Sequence, residues 1–285
     1  MQKGNFRRKS WKVALLTGAW FSMASLCWGG SIFLTGHDPD FHAIVGGNAT
    51  GAQHINQDAI TFITDPAFNP FAAGGVDKFL FVESSISPPG GHVDGINGII
   101  ASGYTSGVNF DKVDATGLDN ALDQLGTNYD AIVIASDFGG ILTQAELDIL
   151  NAHSNQIINF LNNGGGLYAM AESDSGAGLT PNGGFFGFLP FIVTSAQLNQ
   201  NESGFTVTPF GAGLGLTAAD VNGNASHNIF TATGGMDIVD MDSSGHILSL
   251  ATRSAITPGG VVPEPATLVL LGGGLLGLAL LRRKL

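Results

Sequence analysis

Three short, continuously apolar runs constrain the fold of this chain more than any other feature. They lie in predicted strands at residues 78–83, 131–135 and 167–171, the first with Phe79 to Val82 as its apolar part. Strands without polar alternation are typical of a parallel sheet that is buried on both faces. Between the second and third runs, Thr143 and Glu146 form a capping-box sequence, and apolar residues continue at helical spacing to Leu161. Strands separated by such helices predict right-handed crossovers and an α/β three-layer sandwich with a mainly parallel sheet.

Other segments extend this pattern in both directions along the chain. We predict further helices at 49–64, 93–102 and 117–125. Predicted strands lie at residues 31–35, 109–114, 205–208, 237–241 and 246–251, and another element is expected to open at 227–230. The resulting domain organisation is a signal peptide at 1–30, an α/β domain at 31–256, a linker at 257–265, and a C-terminal hydrophobic helix with a basic tail at 266–285.

Polar residues follow the predicted strands, where ligands of open α/β sheets bind. Several carboxylates and an imidazole at one sheet edge could hold a divalent cation through oxygen ligands, and a bound metal could activate water for hydrolysis. The alternative is that Asp and Ser simply make turns and helix caps there. The metal-ligand candidates at these strand ends are His37, Asp38, Glu83, Asp137 and Glu172, with Asp40 and His42 close to the first of them.

A serine hydrolase is a second enzymatic hypothesis. Ser173 follows a predicted strand, Glu172 precedes it, and His227 is a candidate base. The chain contains no Gly-x-Ser-x-Gly nucleophile elbow, so these three residues are catalytic candidates by position only.

The order of elements resembles the class I glutamine amidotransferase-like fold, which is flavodoxin-like. The resemblance is carried by residues 129–134, the helix after them and the glycine-rich entry at 164–168. It implies a nucleophilic cysteine on the turn after that strand. Residues 169–173 contain no cysteine, and Cys27 is the only cysteine in the chain. The resemblance therefore predicts the fold without amidotransferase chemistry.

The predicted α/β domain is strongly acidic. It contains three basic residues, Lys78, Lys112 and Arg253, against 22 acidic residues, which gives a net charge of −19. Such a surface disfavours nucleic acid as a partner and favours cations. Adaptation to a salty or extracellular setting is an equal explanation.

Both ends of the chain carry targeting features. Five basic residues lie within residues 3–12 and precede the apolar segment 13–26, which is typical of a secretory signal peptide. The C-terminal end reads Pro263-Glu264-Pro265, then 16 residues without a charge at 266–281, then Arg282, Arg283 and Lys284. An apolar run of this length is marginal for a membrane span, which needs roughly 20 residues.

This tail resembles the PEP-CTERM sorting signal of Gram-negative bacteria. The resemblance implies an exosortase as partner, transient anchoring in the inner membrane, and delivery to the cell envelope or the extracellular surface. An ordinary tail anchor is the alternative. We therefore expect an exported surface protein whose α/β domain is non-catalytic and serves binding or matrix roles. The alternative function is a metal-dependent hydrolase that uses the strand-end carboxylates.

Overall fold

The computed structural model describes residues 29–84, 95–136, 142–170, 179–189, 191–198, 204–223 and 226–253. The predicted linker and C-terminal helix, and the predicted signal peptide apart from its last two residues, lie outside these residues. In the described part of the chain, no helix combines the length and the apolar character that crossing a membrane requires.

The described residues form ten strands and nine helices. The strands are β1 (Ser31–Thr35), β2 (Phe79–Val82), β3 (Phe110–Val113), β4 (Ala131–Ile134), β5 (Gly166–Met170), β6 (Val193–Gln197), β7 (Thr206–Val207), β8 (Asn228–Thr233), β9 (Asp237–Met241) and β10 (Ile247–Arg253). The helices are α1 (Pro39–His42), α2 (Ala49–Thr64), α3 (Pro70–Ala73), α4 (Gly95–Ala101), α5 (Ala115–Leu122), α6 (Gln144–Ala152), α7 (Ser154–Asn162), α8 (Pro209–Gly213) and α9 (Ala218–Val221).

All ten strands belong to one mixed sheet. Its main path runs β3-β2-β4-β5-β1-β10-β8-β6, and β9 pairs with both β10 and β7. The strands from β3 to β1 along this path are parallel. The pairs that involve β10, β8, β6, β9 and β7 on the other side are antiparallel. The sheet is thus parallel in one half and antiparallel in the other, so β1, β2, β3, β4 and β5 share its carboxyl edge.

The strand order differs from the flavodoxin-like order 2-1-3-4-5, in which the first strand is internal. Here β1 lies at the far end of the parallel block, next to β5. In the order β3-β2-β4-β5-β1, the strands β2, β3, β4 and β5 take the places of flavodoxin-like strands 1, 2, 3 and 4. The first strand of this chain, β1, takes the place of flavodoxin-like strand 5. The chain therefore starts at the boundary between the parallel and antiparallel halves, which brings β10 against β1.

Helices pack on both faces of the parallel half. Ile32 and Leu34 of β1 point into one apolar cluster, which α5, α6 and α7 cover. Phe33 and Tyr168 point into the other cluster, to which α2 supplies most of the helical side chains. Successive strand residues alternate between the faces, and both faces are apolar, which explains why these strands show no polar alternation.

The long helix expected from Thr143 to Leu161 is interrupted, so this prediction was wrong in its continuity. The structure has α6 and α7 with His153 between them. The His153 ring bonds to Gln156 through Nδ1 at 2.7 Å and to Asp119 through Nε2 at 2.9 Å. These side-chain bonds hold the junction between the two helices. The predicted capping box at Thr143 and Glu146 is confirmed.

The side chain of Arg253 connects β10, the last described strand, to the region of α2. The guanidinium of Arg253 lies 4.3 Å from the ring centroid of Phe62 and 3.8 Å from that of Phe68. It also donates to Asp65 Oδ2 at 2.9 Å. Arg253 thus holds the end of β10 against the α2 region by cation–π contacts and an ion pair.

Candidate functional site

The segment after β1 is joined to the antiparallel half of the sheet through Gly36. The N–H of Gly36 donates to the Leu248 carbonyl at 2.7 Å, and its own carbonyl accepts from the N–H of His227 at 3.0 Å. A Cβ on Gly36 would collide with the Asn228 carbonyl. Only glycine allows this close approach, and the approach brings His227 to the carboxyl end of β1.

The residue after Gly36 takes part in a buried polar pair. His37 Nε2 donates to Asp240 Oδ2 at 2.8 Å, and both side chains are fully buried. The backbone N–H of His37 donates to Thr35 Oγ1 at 3.1 Å, and the Thr35 hydroxyl contacts that of Ser249 at 2.9 Å. The buried carboxylate of Asp240 requires a hydrogen-bond partner, and His37 Nε2 provides it. This bond connects the loop after β1 to β9.

Asp38, which follows His37 in the chain, forms a compact cluster with His42 and His227. Each offers one ligand atom, and these atoms lie within 4.8 Å of one another. Asp38 is fully buried, while His42 and His227 are 9% and 7% exposed. Nε2 of His227 lies 3.9 Å from Asp38 Oδ2, and the ring centroids of His42 and His227 are 6.3 Å apart with planes inclined by 13°. The helix α1 brings Asp38 and His42 together, since Asp38 is its N-cap residue and His42 lies one turn later.

The hydrogen bond of His42 determines its tautomer. Nδ1 lies 3.1 Å from the Val45 carbonyl oxygen, and a carbonyl only accepts, so Nδ1 carries the proton. Burial lowers the pKa of His42, and the neighbouring imidazoles of His227 and His37 lower it further. The neutral ring therefore presents the lone pair of Nε2. That nitrogen is buried and has no hydrogen-bond partner among the described residues.

Two other strand-end carboxylates bind backbone groups. Asp40 accepts from the N–H of Ser136 at 3.0 Å and from that of Phe41 at 3.1 Å, which links the α1 segment to the end of β4. Glu83 accepts from the N–H of Ile96 at 3.0 Å, and its Oε2 lies 4.0 Å from Lys112 Nζ. These contacts are the cap and turn roles that were the alternative to ligand binding.

The structure thus brings together part of the predicted site and adds one residue to it. Asp38 was a metal candidate and His227 a catalytic candidate, and they meet in one cluster. Of the described residues, only Asp38, His42 and His227 group closely enough to share an ion, so Glu83 and His37 lie outside that group. Asp137, Glu172 and Ser173 lie outside the described residues. His42 was not chosen as a ligand, although its spacing of four residues from Asp38 across a Pro39 helix start was the available signal.

Comparison with known proteins finds one match, at the end of the chain. Residues 261–284 match the PEP-CTERM protein-sorting motif. The motif supports export and sorting by an exosortase to the cell envelope or surface. The matched residues do not include the α/β domain. No curated protein and no solved structure matches the chain, so the resemblance to amidotransferase-like proteins gains no support from these comparisons.

Proposed function

We propose that this chain is an exported surface protein whose α/β domain binds a ligand and does not catalyse a reaction. The observation that carries this proposal is the sorting motif at residues 261–284, together with the signal-peptide pattern at the other end. The absence of a cysteine at residues 169–173 argues against amidotransferase chemistry. An acidic domain suits an extracellular setting.

The proposed course of sorting follows from the order of the segments. The signal peptide directs export and is removed near residue 30. The apolar residues 266–281 then hold the chain in the inner membrane, with Arg282 and Arg283 on the cytoplasmic side. The exosortase acts at the Pro263-Glu264-Pro265 region and releases the domain 31–256 to the surface. The linker at 257–265 keeps the domain clear of the membrane during this step.

Mass spectrometry of the surface fraction tests this sorting. The variant replaces Pro263, Glu264 and Pro265 by alanine, and Pro258→Ala in the same linker is the matched control. We expect the wild-type and control proteins at the surface without the C-terminal residues, and the triple variant in the inner membrane with Leu285 intact. Surface protein that still ends at Leu285 in the wild type would refute exosortase processing.

The second candidate function is a metal-dependent hydrolase. The earlier form of this hypothesis used Asp38, Glu83, Asp137 and Glu172, and the observation that favours a revised form is the convergence of His42 and His227 on Asp38. A metal held by two imidazoles and a carboxylate can lower the pKa of a bound water and so generate a nucleophile. Turnover of ester, amide or glycosidic substrates by the purified protein, abolished by Asp38→Asn but not by Asp237→Asn, would favour the hydrolase over the binding domain.

A further inference from the structure

We propose that Asp38, His42 and His227 bind one first-row transition-metal ion of the Zn²⁺ type at the carboxyl edge of β1. This inference goes beyond the proposed sorting, because it depends on the geometry of the α/β domain alone. It also replaces the oxygen-rich set of ligands expected from the sequence by a set in which two of the three ligands are imidazoles.

The spacing of the three side chains is compatible with coordination of one shared ion. The distance of 3.9 Å between His227 Nε2 and Asp38 Oδ2 is too long for a hydrogen bond. Zinc–ligand distances of about 2.0–2.2 Å place neighbouring ligand atoms of a tetrahedral site roughly 3.3–3.5 Å apart. A shift of about half an ångström would therefore bring this pair into coordinating range, and the limit of 4.8 Å for the whole cluster allows His42 to join them.

His42 supplies an independent geometric observation that points to a ligand. Its Nδ1 proton is used by the Val45 carbonyl, so the unprotonated Nε2 is the atom that remains. That atom is buried and lacks a partner among the described residues. Metal-bound histidines usually donate their other ring N–H to a carbonyl or carboxylate, which fixes the ring. The Val45 carbonyl supplies that outer contact.

The ligand chemistry selects the class of ion. Imidazole nitrogen suits Zn, Cu, Fe and Ni, whereas Ca²⁺ and Mg²⁺ prefer sets made of oxygen ligands. Asp38 contributes one negative charge, so a divalent ion keeps a net positive charge at the site. Three protein ligands leave the fourth position of a tetrahedral ion open to water or to a donor from a binding partner.

Metal binding to the full purified chain tests the proposed site. The protein is stripped with a chelator and dialysed against Zn²⁺ or Mg²⁺, and bound metal is counted by elemental analysis. Substitution with Co²⁺ adds a spectroscopic test, since a site with few ligands and nitrogen donors gives visible d–d absorption. We expect one Zn²⁺ per chain, no retained Mg²⁺, and an absorbing Co²⁺ form.

The ligand variants are His42→Gln and His227→Gln, and His246→Ala is the matched control. His246 is partly exposed and bonds only to Asp242 among the contacts described for its ring. We expect the affinity for Zn²⁺ to fall by roughly tenfold or more in each ligand variant and to stay unchanged in the control. Circular dichroism checks that the variants fold. Wild-type protein that retains no stoichiometric Zn²⁺ and no absorbing Co²⁺, or a His42→Gln protein that binds both as well as wild type, overturns the proposal. Neither result depends on whether the tail is processed.

Discussion

Asp130 offers the sharpest test of how burial controls the stability of this domain. It lies directly before β4 and is 1% exposed, and its Oδ1 has no hydrogen-bond partner among the described residues. Burial raises the pKa of Asp130 to about 7, and the nearby charge of Asp77 contributes to the rise. The folded protein therefore keeps a proton on Asp130 at pH values where the unfolded chain has lost it.

The sign of the pH dependence follows from this raised pKa. Below pH 3.8, the pKa of Asp130 in the unfolded chain, the carboxyl group is protonated in both states and its burial does not make stability depend on pH. The free energy of unfolding falls as the pH rises from there to about 7. About three pKa units at 1.36 kcal/mol each correspond to a loss of about 4 kcal/mol above pH 7. The neutral amide of Asp130→Asn avoids this loss. We expect the variant to match wild type at pH 4 and to unfold roughly 8–16 °C higher at pH 8.

Thermal denaturation of the full chain in the presence of a chelator measures this difference. The chelator removes any contribution of bound metal to the midpoint. Asp237→Asn is the control, because Asp237 is exposed and its loss should change the stability by no more than about 0.5 kcal/mol at either pH. A difference between Asp130→Asn and wild type that is the same at pH 4 and pH 8 would refute the reasoning.

Three further substitutions test the packing described above. Gly36→Ala should destabilise the protein by more than about 2 kcal/mol, because its Cβ meets the Asn228 carbonyl, whereas Gly213→Ala has open space and should be neutral or stabilising by about 0.5 kcal/mol in the same urea titration. Arg253→Ala should lower the free energy of unfolding by about 1–2 kcal/mol through the lost contacts with Phe62 and Phe68, and Arg253→Lys should lower it less. Equal urea midpoints for Arg253→Ala and wild type would exclude a role for the aromatic contacts. Thr143→Ala should cost about 1 kcal/mol by removing the cap of α6, and an unchanged midpoint would contradict that role.

The parallel half of the sheet could be predicted because its signals are local. The strand Ser31–Thr35 and the helix Ala49–Thr64 have the predicted bounds, and each end of the apolar strands β2, β4 and β5 lies within one residue of the prediction. Continuous apolar runs leave little choice of structure when both faces are buried. The strand β6 was missed, because Val193–Gln197 is a polar edge strand whose pairing partner lies more than 30 residues away.

The candidate site could be predicted only in part, because its geometry depends on long-range pairing. Asp38 was found from its place after an apolar strand. His227 reaches it through the antiparallel half of the sheet, where Gly36 and β10 bring residues nearly 190 positions apart together. No sequence period indicates such a contact. Placing β1 at the end of the parallel block, which the flavodoxin-like order did not predict, is what creates this meeting point.

Anomalous diffraction from crystals grown with Zn²⁺ would test the central claim most directly. We expect one anomalous peak about 2.0–2.2 Å from His42 Nε2, a ring nitrogen of His227 and a carboxylate oxygen of Asp38, with His42 Nδ1 still bonded to the Val45 carbonyl. An anomalous map with no peak among these three side chains, or with a peak only elsewhere, would contradict the proposed metal site.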